Sequence, residues 1–180
     1  MPLFAWSGPM FAGKTSHILQ QGQFYADLGK KVLYVKFKQD NRYQKDCITT
    51  HNLKSVPALS ASTLKEINVQ DADVIVIDEG QFFPDLAEMT NQWASSKIIL
   101  VACLISDFKR NLFSNLIEFI PKVDSLHFLT ATCEHCKVRN ASFTHFHGTQ
   151  PLHGNILIGG KETYQPLCRL CWDAQSEPTL

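Results

Sequence analysis

The segment from residue 8 to residue 15, GPMFAGKT, matches the phosphate-binding pattern G-x-x-x-x-G-K-S/T in full. In this pattern, backbone N–H groups of the loop surround the phosphates of ATP, and the following helix presents its positive end to them. Lys14 is expected to reach the β- and γ-phosphates, and the Thr15 hydroxyl is expected to bind Mg²⁺. The residues predicted to contact the nucleotide here are Gly8, Pro9, Met10, Phe11, Ala12, Gly13, Lys14 and Thr15. A chance match is the alternative, but the segment follows an apolar run and precedes a helical pattern, as the motif requires.

Two bulky apolar residues, Met10 and Phe11, lie between the glycines of this loop, where cradling phosphate requires no bulk. They could line an adjacent pocket for a flat ligand, or they could pack against the sheet. The sequence of this segment favours neither pocket lining nor packing against the sheet.

A second group of reactive residues follows the apolar run from Val74 to Ile77, which ends in Asp78 and Glu79. In P-loop proteins the first such acid holds Mg²⁺, usually through water. Glu79, directed to the opposite side of the strand end, could take the proton from an attacking hydroxyl. A solvated turn after a core strand is the common alternative, but the phosphate loop about sixty residues upstream favours the catalytic interpretation.

Four cysteines form two pairs with two-residue spacing, Cys133 with Cys136 and Cys168 with Cys171. Zinc takes four thiolates tetrahedrally, and each pair can bind it through one tight turn. A site closed by four sulfur ligands has no open position, so we expect a structural rather than a catalytic Zn²⁺. The remaining cysteines, Cys47 and Cys103, have no partner pattern and are interpreted as packing residues.

The elements around these motifs predict an α/β fold. Apolar runs at Leu3–Trp6, Val32–Phe37, Val74–Ile77 and Ile98–Ala102 are typical of strands, and a helical pattern after the phosphate loop stops at Gly29. Thr63 and Glu66 resemble a capping box for a short helix. Strands that alternate with helices predict a parallel sheet flanked by helices. Beyond about Thr130 cysteine, histidine and turn residues dominate, so we predict a P-loop domain at 1–130 and a small zinc-binding lobe at 131–180.

Composition excludes several classes of protein. Among 180 residues, Lys plus Arg and Asp plus Glu are both 17, so the chain lacks the basic field that a nucleic-acid polymer would need. There is no apolar run of membrane-spanning length, and the first residues do not resemble a signal peptide. We therefore expect no membrane partner and a cytoplasmic location, where spaced cysteine pairs more often hold metal than form disulfides.

Taken together, the chain resembles the zinc-containing P-loop (type II) thymidine kinase family of cells, bacteria and large DNA viruses. The resemblance covers about Ser7 to Trp172 and includes GPMFAGKT, KQDNRY, IDEGQFFPD, the two cysteine pairs and IGGKETYQPLCRLC, in that order. It implies a P-loop NTPase (RecA-like) sheet with a C-terminal zinc-ribbon or lasso lobe. It also implies ATP-dependent phosphorylation of the 5′-hydroxyl of thymidine, and of deoxyuridine, in deoxynucleotide salvage.

The resemblance assigns roles to particular residues. It makes Glu79 the general base, with Lys14 and Arg42 as further catalytic residues, and it extends the nucleotide site to Asp40, Asn41, Arg42, Asp78, Glu79, Gly80 and Gln81. The implied thymidine site comprises Met10, Phe82, Leu104, Phe108, Phe113, Thr144, Asn155, Ile156, Leu157, Ile158, Gly159 and Tyr164. The backbone of residues 155–159 would bind the base. Members are commonly homotetramers that dTTP inhibits.

The chain departs from the family at Leu104-Ile-Ser-Asp-Phe108, where many members have Leu-Asp-Gly-Thr-Phe. Some bacterial members carry a Leu-x-x-Asp-Phe version, so this difference does not imply inactivation. The basic residues that often follow the threonine matched to Thr144 are absent as well.

Four other interpretations compete with the kinase. A P-loop hydrolase or switch would use Glu79 to activate water, but water needs no aromatic enclosure of the kind that Phe82, Phe108 and Tyr164 offer. A helicase also carries Asp-Glu-x-Gln, but it needs two such domains. A non-enzymatic zinc-ribbon module would need a basic face interleaved with aromatic residues. A catalytically inactive member of the family is not expected to keep both Lys14 and Glu79.

Overall fold

A computed structural model describes residues 1–39, 47–49, 55–148 and 159–176. Its strands are β1 Leu3–Ser7, β2 Val32–Phe37, β3 Cys47–Thr49, β4 Ser55–Pro57, β5 Leu59–Ala61, β6 Val74–Ile77, β7 Ile98–Cys103, β8 Ser125–Phe128, β9 Ala131–Thr132, β10 Asn140–Ala141, β11 Phe143–Phe146 and β12 Tyr164–Leu167. The α-helices are α1 Lys14–Asp27, α2 Leu86–Trp93, α3 Ser114–Phe119 and α4 Arg169–Ser176. Shorter 3₁₀ helices cover Leu64–Glu66, Gly80–Phe82 and Ile120–Lys122.

The main sheet has six strands within the described residues, in the order β5-β2-β6-β7-β1-β8. Every neighbouring pair is parallel. The predicted parallel α/β sheet is therefore confirmed, and the four predicted strands are its central members. Strand β6 is buried along its whole length, because helices cover both faces of a parallel sheet.

Two apolar layers enclose this sheet. On one face α1 packs Ile18 against Trp6, Val76 and Leu100. On the other face, Leu86 of α2 and the aromatic and aliphatic residues of α3 pack against the alternate strand residues. Successive side chains of a strand point to opposite faces, so each central strand contributes to both layers.

The C-terminal ends of β1, β6 and β7 lie side by side at one edge of the sheet. The phosphate loop follows β1, Asp78 and Glu79 follow β6, and Leu104 follows β7. Because these strands are parallel and adjacent, the segments that carry the predicted chemistry meet at the same edge.

Helix α1 ends as the sequence predicts. Gly29 has φ 77°, in the left-handed region, and its N–H donates to Ala26 O at 2.9 Å. This cap stops the helix before β2 begins.

The predicted capping box has different bonds from those expected. Thr63 makes no side-chain bond to the helix backbone, and its hydroxyl donates instead to the Glu66 carboxylate at 2.7 Å. The N–H groups of Leu64 and Lys65 donate to the Asp85 carboxylate at 2.9 and 3.0 Å. The helix is a single 3₁₀ turn, and an acid from the start of α2 satisfies the donors that Thr63 was expected to satisfy.

The region from Ala131 onward contains two short antiparallel pairs, β9 with β10 and β11 with β12, followed by α4. The sequence did not predict α4, because the second cysteine pair lies within a segment interpreted as turns. The division between residues 130 and 131 stays a prediction. Within the described residues, no helix is both long and apolar enough to cross a membrane.

Candidate active site

The phosphate loop turns sharply between β1 and α1. Gly8 has φ 144°, and a Cβ at this position would lie 2.2 Å from Leu129 O. No other residue type could occupy this position without moving the backbone of residue 129. Phe11 is held at φ 65°, which is uncommon for a residue with a side chain. The loop therefore keeps a tight, partly strained shape.

The Lys14 side chain folds back onto the start of the phosphate loop. Its ammonium group donates to Gly8 O at 3.1 Å and to Pro9 O at 2.7 Å. Thr15 faces the acidic strand end, where its hydroxyl lies 3.1 and 3.2 Å from the two carboxylate oxygens of Asp78. Asp78 is buried. The structure thus brings together the cation, the hydroxyl and the first acid that the sequence assigned to phosphate and Mg²⁺.

Glu79 begins a tight turn at the end of β6. It has φ 55° and ψ 42°, in the left-handed region, and precedes the 3₁₀ helix Gly80–Phe82. Its carboxylate accepts a hydrogen bond from the Gln81 side-chain amide at 2.6 Å. Such a conformation costs free energy for a residue with a side chain, and residues held in it cluster at functional sites.

The four aromatic residues of the predicted nucleoside site lie in two groups. Phe82 packs near Phe113, with ring centroids 6.2 Å apart, and near Phe37 at 5.3 Å. Phe108 packs near Tyr164 at 6.2 Å. Sequence reasoning missed Phe37, which occupies the last position of a predicted strand.

Phe146 is a second aromatic residue that the sequence analysis missed. Its ring centroid lies 5.5 Å from Phe108 and 5.8 Å from Tyr164, so it completes the second group. It lies on β11 two residues after Thr144, on the same side of the strand. The spacing of two residues from Thr144, which places both side chains on one side of a strand, was the available signal in the sequence.

Thr144 connects strand β11 to the phosphate loop. Its side chain is buried, and its hydroxyl accepts a hydrogen bond from Met10 N at 3.0 Å. Met10 is itself buried, whereas Phe11 is half-buried, with Lys161 Nζ 5.9 Å from its ring centroid. These contacts place Met10 at the junction of the loop and the lobe.

The four paired cysteines converge as the sequence predicts. Their sulfur atoms all lie within 4.8 Å of one another, so a single metal ion could be held between them. The first pair lies in the turn between β9 and β10, and the second lies at the start of α4. His135, within the first pair, is exposed, as expected for a residue that is not a ligand.

Backbone donors favour the thiolate form in the first pair. N–H groups of Val138 and Arg139 lower the pKa of Cys136 to about 6. For Cys133, burial opposes ionisation, but backbone N–H groups outweigh it and lower its pKa. Burial and the neighbouring thiols raise the pKa of Cys171 to about 12. Binding of a metal would release the protons that the thiols retain.

Residues 104–108, where the chain departs from the pattern of the family that it resembles, begin a loop that runs to residue 113, and Asp107 has a structural part in this loop. Its carboxylate accepts hydrogen bonds from the backbone N–H groups of Lys109 and Asn111, both at 2.8 Å. The acid that replaces the family's threonine thus shapes the turn that carries Phe108. The Arg110 guanidinium stacks 3.8 Å from the centroid of the Trp172 ring and pairs with Asp173 at 3.3 Å.

Several predicted site residues lie outside the described residues. They are Asp40, Asn41, Arg42, Asn155, Ile156, Leu157 and Ile158. Gly159, the last predicted residue of the base-binding segment, is described and buried. A Cβ at Gly159 would lie 2.5 Å from the Thr163 hydroxyl oxygen, so the chain passes very close to itself there.

Comparison with known proteins gives a consistent result. A family model described as "Thymidine kinase" matches residues 2–172. The "Thymidine kinase" of Yaba monkey tumor virus is 40% identical over 169 residues, which cover 92% of this chain and 91% of that protein. The "Thymidine kinase, cytosolic" of Bos taurus is 36% identical over 179 residues, 96% of this chain and 73% of that protein. The "Thymidine kinase" of Variola virus is 37% identical over 168 residues, covering 92% and 93%.

Proposed function

Because the chain belongs to the thymidine kinase family, we propose that it phosphorylates the 5′-hydroxyl of thymidine with ATP in deoxynucleotide salvage. The observation that carries the phosphoryl-transfer chemistry is the contact between Thr15 and Asp78 directly beside Glu79. Family membership carries the identity of the nucleoside. Deoxyuridine, which differs by one methyl group, is proposed as a second substrate.

The phosphate loop supplies the nucleotide site. Its backbone N–H groups and Lys14 would hold the phosphates of ATP, with Lys14 exchanging its bonds to Gly8 O and Pro9 O for phosphate oxygens. The Thr15 hydroxyl and the Asp78 carboxylate form the oxygen-rich corner that suits Mg²⁺. When bound, Mg²⁺ would neutralise charge that develops on the transferring phosphate.

The reaction needs a base for the nucleoside hydroxyl. The 5′-oxygen forms a bond to the γ-phosphorus as the bond to the β,γ-bridging oxygen breaks, and ADP leaves. The hydroxyl proton goes to the Glu79 carboxylate, which lies next in sequence to the Asp78 carboxylate. Arg42, proposed as a further catalytic residue, lies outside the described residues.

Aromatic residues supply the nucleoside site. The flat base would lie among Met10, Phe82, Phe108, Phe113 and Tyr164. The last four form the two aromatic groups, Phe82 with Phe113 and Phe108 with Tyr164. Leu104 and Thr144 would complete the enclosure of the base. The backbone of residues 155–159 would form hydrogen bonds with the edge of the base. This apolar enclosure favours transfer to a nucleoside over hydrolysis, since water gains nothing from it.

The four-cysteine cluster is proposed to bind one structural Zn²⁺. Its four thiols close the coordination sphere, so the metal would fix the lobe and take no part in the reaction. We further propose that residues 131–180 act as a unit that closes over the nucleoside. The hydrogen bond between Thr144 and Met10 supports this arrangement.

Three further proposals rest on the family alone. The chain forms a homotetramer, dTTP inhibits it as an end product, and it acts in the cytoplasm. The cytosolic relative from Bos taurus supports the last of these.

A nucleoside panel tests the proposed function. Transfer of labelled γ-phosphate from ATP is measured with thymidine, deoxyuridine, deoxycytidine, deoxyadenosine and uridine, and the position of the phosphate is determined. We expect the 5′-monophosphate of thymidine to form fastest and deoxyuridine to follow. Release of phosphate that does not depend on any nucleoside would instead identify a hydrolase.

A further inference from the structure

The side chain of Gln81 bridges the active-site turn and the pocket wall. It is 4% exposed, and both ends of its amide are engaged. Nε2 donates to Glu79 Oε2 at 2.6 Å, and Oε1 accepts from Leu104 N at 2.9 Å. A single buried amide therefore connects the predicted base to the first residue after β7.

The chemistry of the partners fixes the orientation of this amide. A backbone N–H can only donate, so Leu104 requires the amide oxygen on its side. An ionised carboxylate can only accept, so Glu79 requires the amide nitrogen on the other. Rotating the amide by 180° would place two donors together and two acceptors together. The observed orientation therefore gives every one of these groups a partner, and the bond from Nε2 is strongest when Glu79 is ionised.

The backbone of the same turn is held independently from α3. Asn115 Nδ2 donates to Gln81 O at 3.0 Å and to Phe83 O at 2.8 Å. Gly80 packs so closely against β7 that a Cβ there would lie 2.7 Å from Val101 Cγ1. These contacts explain how Glu79 persists in its left-handed conformation, since the surrounding structure determines the turn on both sides.

We propose that Gln81 is a positioning residue for Glu79. It fixes the carboxylate in one orientation and favours its ionised form, and Asn115 holds the turn that carries both residues. This inference rests on the proposed function, because it gives Glu79 the role of base. It differs from the expectation that Gln81 binds the nucleotide: a positioning residue changes the chemical step, whereas a nucleotide contact changes the affinity for ATP.

A donor to the charged form of a carboxylate makes that form easier to reach. A second carboxylate in the same place does the opposite, because two like charges about 3 Å apart cannot both ionise readily. Gln81→Glu is nearly isosteric and, when protonated, still offers an acceptor to Leu104 N. It therefore changes the charge next to Glu79 with little change in shape.

The test compares Gln81→Met, Gln81→Glu and Asn115→Ala with the wild type. Gln23→Met is the matched control, because Gln23 lies on the exposed face of α1, where its amide donates to the Asp27 carboxylate at 2.7 Å. For each variant, kcat, the KM values for ATP and thymidine, the pH profile of kcat and the Tm are measured.

We expect Gln81→Met to lower kcat by about 10- to 100-fold while the KM for ATP stays within about twofold. Gln81→Glu should move the acid limb of the kcat profile to higher pH by about one unit or more. Asn115→Ala should lower kcat less than Gln81→Met, and Gln23→Met should match the wild type. If Gln81→Met does not fold, the pH profile of Gln81→Glu decides.

Two results would overturn the proposal. A raised KM for ATP at unchanged kcat in Gln81→Met would identify Gln81 as a nucleotide contact. If the acid limb of the kcat profile does not move in Gln81→Glu, the role of Gln81 is purely structural. Failure of the wild type to phosphorylate thymidine would instead count against the proposed function. The two failures are therefore distinguishable within one set of measurements.

Discussion

The backbone N–H of Met10 donates a hydrogen bond to the Thr144 hydroxyl at 3.0 Å, across 134 residues of sequence. Both residues are buried. Met10 belongs to the phosphate loop and Thr144 to β11, so this bond connects the proposed ATP site to the proposed nucleoside site. A buried N–H that loses its partner retains the cost of its own desolvation.

Thr144→Val tests this connection. Removing the acceptor leaves the Met10 N–H without its partner, which should destabilise the loop by about 1–3 kcal/mol. ATP affinity, measured by calorimetry without nucleoside, should fall accordingly. Thr144→Ser keeps the hydroxyl and should retain most of the affinity. Equal ATP affinity in Thr144→Val and the wild type would mean that the loop does not depend on this bond.

The metal cluster allows an independent prediction. Elemental analysis of reduced protein should find about one zinc per chain, because four thiols converge on one point. Cys168→Ser should reduce the zinc content, lower the Tm and weaken thymidine binding more than ATP binding. Cys47→Ser is the control, since Cys47 lies on β3, away from the cluster.

Absence of zinc from protein that has never been exposed to a chelator would contradict the proposal of a structural metal. So would a Cys168→Ser variant with unchanged zinc content and Tm.

The stacking of Arg110 on Trp172 predicts a role in holding the 104–113 loop against the lobe. Arg110 and Asp173 are partly exposed, so their ion pair contributes little, and the stacking should contribute about 0.5–1 kcal/mol. Arg110→Ala should raise the KM for thymidine a few-fold and leave the KM for ATP unchanged.

Arg110→Lys should recover only part of this loss, because an ammonium group lacks the planar surface of a guanidinium. Lys122→Ala, at an exposed position of the 3₁₀ helix Ile120–Lys122, is the charge-removal control. A rise in the KM for ATP equal to that for thymidine would show that the loop acts on the whole site.

Cys103 should be chemically inert in the folded protein. Burial raises the pKa of its thiol to about 12, although nearby Lys14 works against this shift. At pH 8 only about one part in 10⁴ of such a thiol is ionised, and the thiolate is the reactive form. Alkylation with iodoacetamide followed by mass spectrometry should modify the half-buried Cys47 well before Cys103. Equal labelling rates would contradict the buried environment of Cys103.

Much of the fold and part of the site were predictable because their signals are local. The phosphate loop, the acidic end of β6 and the paired cysteines each occupy a few consecutive residues with a required spacing. The buried strands are unbroken β-branched runs, as expected where helices cover both faces. Strand β8 was not predicted, because its SLHF sequence is mostly exposed and shows no apolar run.

The features that sequence reasoning missed depend on contacts between distant segments. The assignment of Gln81 to the nucleotide site stays a prediction, and only the fold shows Leu104 N beside its amide oxygen. Arg110 and Trp172 are 62 positions apart, and nothing local to either predicts that they stack. Asp85 satisfies the donors of a turn some 20 residues earlier for the same reason.

The most direct test of the central claim is the rate of thymidine phosphorylation by Glu79→Gln under single-turnover conditions. The amide keeps the shape of the side chain but cannot accept the hydroxyl proton, so the rate should fall by about 10²- to 10⁴-fold. ATP affinity, measured on the same preparation, should be unchanged because the phosphate loop is intact. A variant that phosphorylates thymidine at close to the wild-type rate would show that Glu79 is not the base.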